Sequence, residues 1–205
     1  MKKPNLPLIV WLLVFCTVFI WSAINPHDYY TWILEVLPAL IGLLILAITY
    51  KSFPLTGLAY WLILIHCIIL VVGGHYTYAQ VPLFNWIRDA FDMGRNHYDK
   101  VGHFAQGFVP AIIAREILVR KSPLTTGKWL FFIVVCICLA ISAVYELIEW
   151  WVAVASGTAA EAFLGTQGYV WDTQSDMFLA LLGALCSLLL LGRYHDCLIA
   201  KTSKS

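Results

Sequence analysis

Three pairs of ionisable residues stand where an apolar chain has least use for them. Asp99 and His103 are four apart, Glu146 and Glu149 three apart, and Asp172 and Asp176 four apart. At 3.6 residues per turn each pair lies on one helix face. Asp, Glu and His side chains projected from several helices into a bundle core can hold a divalent metal ion, for which His103, Glu146, Glu149 and Asp176 are the candidate ligands. Without a metal, all six residues are candidate catalytic groups, acids and bases whose pKa values are split by their neighbours. The same groups can also carry protons through a transporter. A plainer reading competes for some of them: Asp99, Asp172 and Asp176 suit helix N-termini, where negative charge stabilises the dipole. Glu146 and Glu149 fall near a helix C-terminus, where the dipole opposes them. That conflict makes them the most informative acids in the chain.

The neighbours extend the set. Gln106 continues the Asp99–His103 face, Asn96, Gln167 and Gln174 lie at adjoining loop ends, and Glu35 falls near the end of an earlier segment. His66 lies deeper and is the poorer candidate. Arg115, Glu116, Arg120 and Lys121 read as a group that snorkels to the opposite membrane surface.

The elements that must position these residues are membrane helices. Of 205 residues, 61% are hydrophobic and 12% charged, against roughly 25% charged in soluble domains. A soluble fold of this size could not cover so much apolar surface. A net charge of +1 gives no reason to expect nucleic acid as a partner; the expected surroundings are a lipid bilayer. About 20 apolar residues span the hydrocarbon core, and six stretches qualify: Leu6–Ile24, Tyr30–Tyr50, Leu55–Val72, Val101–Val119, Trp129–Ala153 and Met177–Tyr194. The expected fold class is therefore all-α, a polytopic transmembrane bundle forming one domain over residues 1–205. The six cysteines read as small core or lipid-facing residues, since none has the spacing of a disulfide framework or zinc site.

Charge placement orients the spans. With the N-terminus inside, the inner side holds Lys2, Lys3, Lys51, Arg115, Arg120, Lys121, Lys128, Arg193, Lys201 and Lys204, and the outer side only Arg88, Arg95 and Lys100. Basic residues concentrate on the cytoplasmic side, so both termini are expected in the cytoplasm. The fourth and sixth spans then start, and the fifth ends, near the outer face. All three pairs reach one level. Two long outer segments, about 73–100 and 153–175, mix aromatics with glycines (His75, Tyr76, Tyr78, Trp86 and Tyr98; Gly157, Gly165, Gly168, Tyr169 and Trp171). They read as an interfacial aromatic belt or as lids over a site.

The order Asn96-His97-Tyr98-Asp99-Lys100-Val101-Gly102-His103-Phe104, then Tyr145-Glu146-Leu147-Ile148-Glu149-Trp150, then Gly165-Thr166-Gln167-Gly168-Tyr169-Val170-Trp171-Asp172-Thr173-Gln174-Ser175-Asp176-Met177 resembles the YjdF family. The likeness covers essentially the whole chain and implies a bacterial inner-membrane protein of undefined function. Asp99-Lys100 with His103, the acids of the next helix and Asp176 are more distantly similar to VanZ-like membrane proteins, which are linked to glycopeptide resistance; an evident Arg before the last acidic motif is missing here. Resemblance supplies no substrate. The residues themselves suggest a membrane-embedded enzyme acting at the outer leaflet on a lipid or polyprenyl-linked substrate. The alternatives are a small proton-coupled transporter and a structural or assembly subunit.

Overall fold

The computed structural model describes residues 6–156 and 166–202. Lys2, Lys3, Gly157, Gly165 and Lys204 lie outside the described residues. Within them the chain is an all-helical membrane bundle with no strand: α1 (Leu6–Ser22), α2 (Tyr29–Thr49), α3 (Gly57–His75), α4 (Pro82–Ala90), α5 (Tyr98–Lys121), α6 (Lys128–Ser156) and α7 (Asp172–Thr202). Helices α2, α3, α6 and α7 are long and apolar enough to cross a membrane. Helix α1 has 17 residues. Helix α5 has 24, about 36 Å at 1.5 Å per residue, and carries most of the buried charge.

Local chemistry sets the helix starts. Asp28 caps α2 by accepting from the Thr31 N–H at 2.6 Å, a bond that holds its carboxyl below the ordinary carboxylate range. Thr56 caps α3 through the Ala59 N–H. Pro82 opens α4, where a missing N–H costs nothing. Helix α4 lies within the segment read from sequence as a long loop. It is strongly amphipathic, with Leu83 and Trp86 exposed, as suits a helix lying in the interface.

Helices α5 and α7 form the tightest pair. A Cβ at Gly107 would collide with the backbone carbonyl of Ala180, and one at Gly183 with that of Phe104. Small residues on facing sides let the two backbones touch, the usual route to close packing where lipid removes the hydrophobic drive. Helix α6 packs on both, while α3 joins α5 to α1 and α2. Ala111, Val134, Cys138 and Ala184 fill the α5–α6–α7 core. Trp11, Phe15, Ala39, Leu64 and Cys67 fill a second core around α1, α2 and α3.

Candidate functional site

Two polar centres hang on α5, about 20 Å apart by helical rise (thirteen residues from His103 to Glu116). The one near its C-terminus corrects the snorkelling expectation, because Arg115 and Glu116 are buried. Glu116 accepts from the Thr56 N–H at 2.9 Å, the Thr56 hydroxyl at 2.7 Å and Arg120 at 2.6 Å, with His195 Nε2 at 3.0 Å. His195 Nδ1 faces Arg115 at 3.4 Å. One neutral tautomer, protonated on Nε2, satisfies both neighbours. Arg115 also pairs with Asp196, and Arg120 bonds the Pro54 carbonyl while lying 4.0 Å over the Phe53 ring. Every carboxylate oxygen of Glu116 is used.

The centre at the start of α5 is built differently. Asn96, fully buried, holds its frame. Its Oδ1 accepts from the Tyr98 N–H, and its Nδ2 donates to the Val81 carbonyl and Asn85 Oδ1 on the α4 side. Its backbone exchanges two 2.9 Å hydrogen bonds with the Gln167 amide. Gln167 adopts φ 47° and Gly168 φ 81°, so the turn before α7 holds a non-glycine residue in the left-handed region to deliver that amide. Three chain segments are thereby tied at one point.

On the α7 side the charges are matched. Arg95 reaches Asp172 at 2.6 Å and the Thr166 carbonyl at 3.0 Å. Lys100 reaches Asp172 at 2.9 Å, Asp176 at 2.6 Å and the Ser175 hydroxyl at 2.6 Å. Tyr169 stands 5.6 Å from both cations. These are buried pairs between segments over seventy positions apart. Arg95 and Lys100 adjoin Asp99 in sequence, yet their contacts to it are longer, at 3.6 and 3.9 Å. Just outside the helix, burial and then the Arg95 and Lys100 charges push the His97 imidazole below the ordinary histidine range.

On the other side several buried polar atoms lack a hydrogen bond. His103 Nε2 lies 3.3 Å from Asp99 and 3.8 Å from Asp176, and its Nδ1 lies 3.7 Å from Glu146. His103 Nδ1, Glu146 Oε1 and Asp99 Oδ2 are buried without a hydrogen bond. The nearest cation to that Asp99 oxygen is Arg95, at 3.6 Å. Beside them is a cavity of about 170 Å³ bounded by α2, α3, α5 and α6. Asp99, His103, Gln106 and Pro110 line it from α5, Glu149, Tyr145 and Ile141 from α6, Glu35 and Pro38 from α2, and His66 from α3. Tyr78 closes one wall, wedged so tightly that a Cβ at Gly73 would collide with its ring. Tyr145 donates to Glu35 at 3.3 Å. Glu35, Glu146 and Glu149 have no Lys or Arg in ion-pair range among the described residues.

Asp99, His103, Glu146 and Asp176 thus meet around the imidazole. Asp172 stands behind them on Arg95 and Lys100, and Glu149 on the cavity wall. Asp99, His103 and Asp176 each offer a ligand atom within 4.8 Å of the others, so this trio could hold a metal; Glu149 lies apart from it. Tyr78 and Tyr145 carry no sequence signal beyond being aromatic. His66, ranked low for its depth, does line the cavity.

Helices α2 and α6 make no extended contact; polar links join them at Tyr145–Glu35 and Tyr30–Ser156. Ile141, which lines the cavity, is 41% exposed, and Leu37 on α2 and Val144 on α6 are exposed as well. These apolar flanks face the surface that lipid would cover.

Helices of membrane-crossing length around a buried polar centre define an integral membrane protein. The chain belongs to the family described as "Predicted membrane protein (DUF2238)", which matches residues 7–197. It is 52% identical over 183 residues, 89% of this chain and 88% of the relative, to the inner membrane protein YjdF of Escherichia coli (strain K12). No solved structure matches it.

Proposed function

We propose that this protein is a membrane-embedded enzyme working at the outer leaflet on a lipid or polyprenyl-linked substrate. The carrying observation is the buried His103 imidazole, whose Nδ1 lacks a hydrogen bond while three carboxylates from three helices surround the ring beside a cavity. Buried polar atoms are normally satisfied. Leaving such atoms bare in the bundle is costly and suits a site completed by substrate. His103 would move the proton, Asp99 and Asp176 would hold the ring, and Glu146 would act as its partner base or acid. A chain-bearing substrate would enter sideways between α2 and α6, which make no extended contact. The outer position follows from the basic residues, with six crossings and both termini in the cytoplasm of a bacterial inner membrane.

The test is a lipid-resolved comparison of cells lacking the protein, complemented by wild type or by His103→Asn. The expected result is a lipid species that changes in the null and is restored only by wild type. An unchanged lipid profile in all three would overturn the reading.

The convergence of Asp99, His103 and Asp176 supports a second reading, in which a divalent cation bridges them. Metal analysis of purified protein and of His103→Ala decides it: equal, negligible metal in both would remove it. A proton-coupled carrier is less well supported, because the apolar layer of Ala111, Val134, Cys138 and Ala184 separates the two polar centres.

A further inference from the structure

The cavity beside His103 indicates its guest through the polarity of its walls. Among the described residues no lysine or arginine lines it. Its polar lining includes the carboxyls of Glu35, Asp99 and Glu149, and Gln106, whose buried Oε1 has no hydrogen-bond partner, beside the rings of Tyr78, Tyr145, His66 and His103. Two prolines inside helices, Pro38 and Pro110, line the same space. Each removes the N–H that would bond the carbonyl four residues earlier, which frees the carbonyls of Leu34 and Gln106. Three carboxyl groups line this space with no lysine or arginine among the described residues.

Two buried atoms make this more than an acidic cluster. Asp99 and His103 are 9% and 6% exposed, and Asp99 Oδ2 and His103 Nδ1 have no hydrogen bond while their side chains line the cavity. A guest that completes these walls must bring hydrogen-bond donors and positive charge. A phosphate would bring neither and would face carboxylates; a metal ion alone would leave much of the volume unfilled. About 170 Å³ is the room of five or six waters at roughly 30 Å³ each, enough for a group of a few heavy atoms and too little for a sugar ring with its substituents. The rings of Tyr78 and Tyr145 can add cation–π attraction. Helices α2 and α6, which flank this space, make no extended contact, and the cavity-lining Ile141 of α6 is exposed on the apolar surface.

We infer that the cavity binds the primary ammonium head group of a membrane lipid, held by Glu35, Asp99 and Glu149. This rests on the reading of the site as one that acts on lipid, and it names the head group. The probe is short-chain phosphatidylethanolamine, added to the full-length protein in neutral detergent, with thermal stability and native mass spectrometry as readouts. Phosphatidic acid, phosphatidylcholine and free ethanolamine are the comparison arms. The ethanolamine lipid is expected to bind at least tenfold more tightly than the other three, with that preference lost in Glu35→Gln and Glu149→Gln. Equal or tighter binding of phosphatidic acid, unaltered preference in both variants, or free ethanolamine binding as well as the lipid would each overturn the inference. The two proposals fail separately. Ethanolamine-lipid binding with an unchanged cellular lipid profile removes the enzyme and keeps the head group, and a changed profile with phosphatidic acid preferred does the reverse.

Discussion

Helix α5 carries two buried polar centres, and the contrast between them separates structure from function. Around Glu116 every acceptor has a donor, drawn from Thr56 on one side and from Arg120 and His195 on the other. Around His103 the side facing α7 is equally well matched, but the side facing the cavity holds several carboxyls and, among the described residues, no lysine or arginine. A protein selected only to fold has no use for the second arrangement, because an unpaired buried charge is among the most expensive things a bundle can contain. The first centre locks α3, α5 and α7 together. The second is left incomplete on one side.

The contrast can be sharpened within the outer centre itself. Lys100→Met removes the ammonium shared by Asp172 and Asp176, strands the buried Asp176 carboxylate and leaves Asp172 to Arg95 alone. The expected loss is about 3–5 kcal/mol, read as a large drop in the unfolding temperature in detergent. If Lys100→Met unfolds at the wild-type temperature, the α7 side is not structural and the division of labour breaks. A smaller effect is expected from Asn96→Ala, which leaves the Val81 carbonyl, Asn85 Oδ1 and the Tyr98 N–H without their side-chain partner while the backbone bonds to Gln167 remain. It should cost about 1–3 kcal/mol, and hydrogen exchange should rise in α4 and at the start of α5 before it rises in α6. Uniform exchange across the bundle would show that Asn96 does not tie these segments.

The helices were legible in the sequence because apolar runs and their Pro and Gly boundaries report lipid contact directly. The clustering of Asp99, His103, Glu146 and Asp176 was legible too, since helical spacing put each pair on one face and charge bias put the faces at one level. What pairs with them was not. Arg95 and Lys100 are close to Asp99 in sequence, yet their short contacts are to Asp172 and Asp176 on another helix. Glu116 likewise finds Thr56 and His195, sixty and seventy-nine positions away. Spacing reports which face a charge occupies, while its counter-charge depends on which helices pack together. That packing is set by the small residues Gly107 and Gly183, whose role shows only when the opposing backbone is present. Helix α4 escaped for another reason: nine residues with an interfacial pattern look like a loop when the search is for spans.

The central claim is that the Glu116 centre serves the fold and the His103 centre serves a ligand. The most direct test makes the same isosteric change in each, Glu116→Gln and Glu146→Gln, and measures thermal unfolding of both in one detergent. At Glu116 the new NH2 must point at Thr56, Arg120 or His195, so the unfolding temperature should fall by about 10 °C, given losses of about 3–5 kcal/mol and roughly 2–4 °C per kcal/mol at this size. At Glu146 the change replaces an oxygen that has no hydrogen bond, and the temperature should stay within about 2 °C of wild type while ligand-dependent behaviour is lost. Equal destabilisation by both substitutions would contradict the account.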